Sequence, residues 1–194
     1  MAEIKNGLQE SIALGDDKIL IGADTFIPLI KEEEIQQRNR ELGKQISVDF
    51  AAKSPVFIGV LNGAFVFLSD LFKNVTIDCE VDFIKLSSYR NEKTTSGTVK
   101  ILKELSCDVF GRNILIVEDI VDSGLSIKFI EELLTPQKPA SMKIVSLLVK
   151  PNILKYNVKI DYIGFKIPDK FVIGYGLDYA QKYRNLKSIY RLSE

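Results

Sequence analysis

The sequence predicts an α/β protein with a mostly parallel central sheet flanked by helices. Three observations predict it. Short, largely apolar runs recur, at Val56 to Leu61, Ile114 to Val117 and Met142 to Val149, as in strands covered on both faces. Helix-length segments separate these runs, which is the order of a parallel sheet. The length, 194 residues, suits one domain with a substantial core.

The elements follow in order. Residues 30–53 are charged, with apolar returns at Ile30, Ile35, Leu42, Ile46 and Phe50. That spacing predicts a long amphipathic helix, imperfect around Gly43 and stopped by Pro55. Val56 to Leu61 is a buried strand, Asn62-Gly63 a turn, and Ala64 to Leu71 a helix. Cys79 to Leu86 is the next strand, with Val81, Phe83 and Lys85 on one face. Residues 87–98 (SSYRNEKTTSGT) are polar and small, which predicts a mobile loop closed by a hairpin strand at Val99 to Leu102. A strand at Asn113 to Val117 leads through a turn to a helix from Leu125 to Leu134, ended by Pro136. Further strands are expected at Met142 to Val149, Asp161 to Phe165 and Phe171 to Tyr175. Ligands of such sheets bind where the strands end. That rule puts Asn62-Gly63, Glu118 to Ser126 and Lys150 on one rim.

Composition narrows the function. Net charge is zero and the pI is about 6.4, so no global basic field exists to collect nucleic acid. The N-terminal MAEIKNGLQE lacks an apolar signal core, and no apolar run approaches the ~18 residues of a membrane span. A cytoplasmic protein is expected, with Cys79 and Cys107 as reduced thiols. There is no histidine. A general base must therefore come from a carboxylate, lysine, tyrosine or cysteine.

The most informative stretch is NILIVEDIVDSGLS, residues 113–126. A buried strand ends in Glu118, Asp119 and Asp122, and burying neighbouring carboxylates is costly. Directly after them Ser123, Gly124 and Ser126 lead into a helix, whose first N–H groups are unpaired and favour anions. An ordinary helix cap would share the same residues. Sugar hydroxyls and Mg2+ suit the acids, and a phosphate suits the turn. A phosphorylated ribose combines these demands.

ILIVEDIVDSGLS resembles the phosphoribosyl-diphosphate (PRPP) signature of the type I phosphoribosyltransferases. Four further segments resemble the hypoxanthine-guanine branch of that family: GVLNGAFVFLSDL (59–71), VDFIKLSSYRN (81–91), SLLVKP (146–151) and DYIGFKIPDKFVIGYGLDYAQKYRNL (161–186). The match runs in register over roughly residues 10–190. It implies the type I fold: one domain over 1–194, with a core at about 30–150 and a small hood from about 1–29 and 151–194. It implies Mg-dependent transfer of phosphoribosyl from PRPP to N9 of hypoxanthine or guanine, in purine salvage.

The resemblance also implies roles. Glu118 and Asp119 would hold the ribose hydroxyls and a Mg2+, and Asp122 would be the general base or acid near purine N7. Asp122, Ser123, Gly124, Leu125 and Ser126 would cradle the 5-phosphate. Lys150 would donate to the purine 6-oxo group, Phe171 would stack on the base, and the main chain of Val172 and Asp178 would meet the 2-position. Asp178 would help a second Mg2+. Leu61, Asn62 and Gly63, in a segment that carries a non-proline cis peptide, would face pyrophosphate with Arg184. Ser88 and Tyr89 would close over the reaction. A homodimer or homotetramer is implied, with no nucleic acid or membrane partner. Two positions depart from the family pattern: Leu125 stands where lysine is common, and Asn62 where lysine or glycine is. Two other readings remain at this stage. A nucleic-acid-binding regulator on the same fold should show a basic face, and a receiver-like domain would leave Lys150 and the C-terminal block without a role.

Overall fold

The computed structural model describes residues 11–14, 18–89 and 98–193. The strands are β1 (Ser11–Leu14), β2 (Lys18–Ile21), β3 (Asp24–Ile30), β4 (Val56–Leu61), β5 (Glu80–Tyr89), β6 (Thr98–Lys103), β7 (Asn113–Val121), β8 (Ser141–Val149), β9 (Tyr162–Lys166), β10 (Val172–Ile173) and β11 (Ile189–Leu192). The helices are α1 (Glu32–Asp49), α2 (Phe65–Phe72) and α3 (Leu125–Leu134). Among these residues the strands form two sheets. The larger runs β6-β5-β4-β7-β8-β9 and is parallel except for the β5–β6 hairpin. The smaller, β1-β2-β3-β11-β10, is antiparallel and joins the two ends of the chain.

Alternation within the apolar runs builds two cores, one on each face of the larger sheet. Phe57, Leu115 and Val117 pack with Ile35, Leu42 and Ile46 of α1 and Leu68 and Leu71 of α2. Val56, Ile58, Ile114 and Ile116 face the other way, onto Ile127, Ile130 and Leu134 of α3. Each buried aliphatic side chain contributes about 1.5–3 kcal/mol relative to exposure. β9 lies at one edge of the sheet. There Arg38 of α1 donates to the carbonyls of Ile163 (2.7 Å) and Gly164 (3.2 Å). No helix among the described residues is long and apolar enough to cross a membrane.

Several bounds differ from the sequence reading. α1 ends at Asp49, because the chain turns through Ala52 and Ser54 at positive φ before Pro55. The last expected strand, Phe171 to Tyr175, is only Val172–Ile173, since Gly174, Tyr175 and Gly176 all take positive φ. Residues 90–97, the tip of the expected mobile loop, lie outside the described residues. The hairpin strand that follows pairs with β5 as far as Tyr89–Thr98.

In β5 the face shared by Val81, Phe83 and Lys85 is not uniformly buried. Phe83 packs on the α1–α2 core, but Val81 is 46% exposed while Asp82 and Ile84 are buried. A strand reading assigns a carboxylate to solvent; here backbone donors take that place. Asp82 accepts from the N–H groups of Ser106 (2.6 Å), Phe83 (2.7 Å) and Cys107 (2.9 Å), and Lys103 lies 3.4 Å away. Burial opposes its charge. The N–H groups of Cys107, Phe83 and Ser106 outweigh burial and hold the carboxyl at about 2, below its ordinary 3.8.

Asp82→Asn turns one acceptor into a donor facing N–H groups, and should cost about 1–3 kcal/mol at neutral pH by urea denaturation. Because the folded carboxyl is depressed, the wild-type advantage is full above pH 3.8 and disappears as pH falls through about 2. A pH-independent difference between the two proteins would contradict this origin.

Candidate active site

Parallel register brings three strand ends to one rim. Gly59 pairs with Val117, and Val117 with Val145, so β4, β7 and β8 finish side by side. Asn62-Gly63, Asp122 to Ser126 and Lys150 follow directly. The Leu61–Asn62 peptide is cis.

β7 continues past its apolar run to Val121, paired with Val149. Glu118 and Asp119 are therefore strand residues rather than turn residues. Backbone pairing tolerates the acids because their side chains lie against the rim. Glu118 is only 5% exposed. Burial, and then the neighbouring Asp119 carboxylate, raise its carboxyl well above the usual range. Burial also raises Asp119, to about 6, although the N–H groups of Ile120 and Asp119 and the charge of Arg184 pull the other way. A carboxylate pair of this kind is starved of positive charge.

Asp119 reaches across to the β4 loop. A Cβ built on Gly63 would coincide with the Asp119 Oδ2 atom. Only a residue without a side chain permits that approach. A cleft of roughly 190 Å³ opens here, lined by Val60, Leu61, Gly63, Glu118, Asp119 and Ser126. The β5–β6 arm adds Leu86 and Val99 to its wall.

The turn after β7 enters α3 through Gly124 in the left-handed region, φ 84°. The Leu125 N–H meets the Ser123 hydroxyl at 3.3 Å, and the helical ladder starts with Lys128 N–H to the Gly124 carbonyl. The N–H groups of Ser126 and Ile127 precede that bond, with the positive end of the helix behind them. Leu125 itself supplies no charge to this turn.

Lys150 is buried, 7% exposed, which a lysine tolerates only with partners. Its Nζ lies 3.1 Å from Asp122 and 3.6 Å from Asp169. Asp122 is more than half exposed, so it meets both Lys150 and solvent. Phe171 presents a 46% exposed ring, braced edge-on by Phe26 at 6.2 Å and Tyr179 at 5.8 Å. Val172 is buried in β10 next to it. Asp178 pairs with Arg184 at 2.8 Å and caps the Gln181 N–H. Arg184 also donates to the Gly176 carbonyl at 2.7 Å. Ser88 and Tyr89 pair with Val99 and Thr98 at the root of the β5–β6 arm.

Glu118 and Asp119 adjoin, but Asp178 is engaged by Arg184. Among the described residues no three acids, cysteines or histidines converge as a ready-made metal cage. Two residues here had no signal in the motif reading. Asp169 supplies the second carboxylate beside Lys150, and only a buried lysine's need of countercharge points to it. Tyr175 is 3% exposed, with its hydroxyl hydrogen-bonded between α1 and α2.

Comparison with known proteins places this geometry. Residues 30–180 match the model of the phosphoribosyl transferase domain. The chain belongs to the phosphoribosyltransferase family. It is 50% identical over 161 residues to the hypoxanthine-guanine phosphoribosyltransferase of Bacillus subtilis, covering 83% of this chain and 89% of that protein. It is 45% identical over 163 residues to the hypoxanthine phosphoribosyltransferase of Escherichia coli, covering 83% and 92%. The crystal structure of a Staphylococcus aureus hypoxanthine phosphoribosyltransferase superposes with a TM-score of 0.82 at 43% identity, over 86% of this chain and 90% of that one. The mostly parallel sheet with its smaller antiparallel sheet is thus the type I phosphoribosyltransferase fold. In this phosphoribosyltransferase the β4 loop and the β7 acids touch through Gly63. Gly63→Ala should displace the Asp119 carboxylate and cut transferase turnover by about a hundredfold, the cost of a ~1 Å misplacement. Steady-state kinetics beside a melting curve would check it, and near-normal turnover would show that Asp119 tolerates the shift.

Proposed function

We propose that this enzyme transfers the phosphoribosyl group of PRPP to N9 of hypoxanthine or guanine, releasing pyrophosphate. The observation that carries the reading is the buried Lys150 ammonium, 3.1 Å from Asp122 on the rim that also carries the Glu118–Asp119 pair. A 6-oxopurine needs both groups: a donor for O6 and an acceptor near N7. Relatives at 45–50% identity that bear the hypoxanthine-guanine or hypoxanthine phosphoribosyltransferase name support the choice of base.

The residues divide the work. The turn from Asp122 to Ser126 takes the 5-phosphate on N–H groups and the Ser123 and Ser126 hydroxyls. Glu118 and Asp119 accept from the ribose hydroxyls. Phe171 stacks on the purine, and the main chain at Val172 and Asp178 meets its 2-position. Lys150 donates to O6, which disfavours an amino group there. As N9 attacks C1, the C1–O bond to pyrophosphate breaks, and Asp122 accepts the proton developing at N7. Leu61-Asn62-Gly63 and Arg184 face the departing group. The β5–β6 arm, with Ser88 and Tyr89, excludes water from the cationic sugar.

The donor set fits Mg2+: Glu118 and Asp119 are hard oxygen ligands whose raised carboxyls call for nearby positive charge. Asp178 would hold a second ion from the hood side. When bound, Mg2+ would neutralise charge on pyrophosphate. We further assign the enzyme to the cytoplasm, as a homodimer or homotetramer, on its family alone. Light scattering should then give two or four times 21.9 kDa.

Product formation across the five common bases with PRPP and Mg2+ tests the reading directly. Hypoxanthine and guanine should give nucleotide, and activity with adenine alone would overturn it. Asp122→Asn should lower kcat by about 10²–10⁴-fold while leaving the KM for PRPP within a few-fold. Lys150→Gln should raise the KM for hypoxanthine at least about tenfold and narrow the discrimination against adenine. An unchanged base preference would remove Lys150 from that role.

A further inference from the structure

Gly174, Tyr175 and Gly176 take φ of 95°, 50° and 100° in succession. A left-handed conformation costs a non-glycine residue roughly 1–2 kcal/mol, so something must hold Tyr175 there. Its side chain runs inward between α1 and α2. The hydroxyl donates to Asp70 Oδ2 at 2.8 Å and accepts from Asn39 Nδ2 at 2.8 Å. Asp70 is itself gripped by Gln36 at 2.8 Å and Lys73 at 3.2 Å. Burial, and then the bond to Asp70, push the phenol up, so it stays a neutral donor.

The backbone beside this anchor touches the site. A Cβ on Gly176 would clash with the Gly63 carbonyl oxygen, so Gly176 lies against the β4 loop that abuts Asp119. Gly176 also binds Arg184 twice: its N–H donates to the Arg184 carbonyl at 2.9 Å, and its carbonyl accepts from the guanidinium at 2.7 Å. Asn39 is fully buried and its Oδ1 has no partner. An orphaned buried acceptor costs about 1–3 kcal/mol, so apolar packing would have made this junction more stable. What the polar arrangement supplies is a fixed position.

We propose that Tyr175 is a positioning residue for the pyrophosphate half of the site: its hydroxyl, held by Asp70 and Asn39, sets Gly176, and through it Arg184 and the Leu61–Gly63 loop. Among the described residues, the purine half, Lys150 and Asp122, shares no hydrogen bond with this network. The inference rests on the transferase reading above, and it carries a readout of its own, binding of pyrophosphate.

Tyr175→Phe removes the hydroxyl and keeps the ring. It should raise the KM for PRPP and the calorimetric Kd for magnesium pyrophosphate about tenfold, with the KM for hypoxanthine within twofold of wild type. Asp70→Leu should reproduce that split, the double variant should be no worse than either single one, and Asp70→Asn, which keeps an acceptor, should largely restore affinity. A PRPP KM and pyrophosphate Kd within twofold of wild type in Tyr175→Phe would overturn the proposal, as would an equal rise in the constants for PRPP and base, which marks general loosening. Should the wild type form no nucleotide, the transferase reading fails alone, and a tenfold loss of pyrophosphate affinity in Tyr175→Phe still supports the positioning role.

Discussion

Parallel pairing of β4, β7 and β8 is the constraint on which the site depends. Three apolar strands in register end at one level, and each end releases a different functional group. β4 delivers a loop with a cis peptide, β7 delivers carboxylates and a helix N-terminus, and β8 delivers a lysine. A one-residue slip would turn each of these to the opposite face. Burial of both sheet faces resists that slip, because Leu115 and Ile116 each have their own core.

The charges are arranged locally on a chain with zero net charge. Glu118 and Asp119 lack a cation within their own strand, and Arg184 of the C-terminal segment acts on Asp119. Asp122, one turn further on, has Lys150. Two acids are thus left wanting a cation and one is paired, within five residues of one strand end. The turn into α3 offers an anion its backbone N–H groups and the Ser123 and Ser126 hydroxyls, with no charged side chain. That explains why Leu125 can stand where a lysine is common.

The sequence showed the strand positions well wherever apolar runs met a clear stop. β4 and α3 have their expected bounds, and Pro136 falls just past α3 as expected. Legibility failed where a side chain's partner lies far along the chain. Asp82 gave no sign of its burial, because its N–H partners at Ser106 and Cys107 are 24 and 25 residues away. β7 looked shorter than it is, since acids hid a strand that backbone pairing extends. The antiparallel sheet of β1 to β3 with β10 and β11 had no periodic signal, because it pairs residues near 26 with residues near 192. The rim was readable from motif order, whereas Asp169 and the Asn39–Tyr175–Asp70 link were not, being made by residues up to 136 positions apart.

The bond of Arg38 to the carbonyls of Ile163 and Gly164 has a consequence away from the site. β9 is an outer strand, and outer strands offer unpaired backbone groups to any passing chain. A guanidinium from α1 engages two consecutive carbonyls of this outer strand. The large sheet is therefore tied on this side to its own first helix, which leaves less of that edge open to another strand.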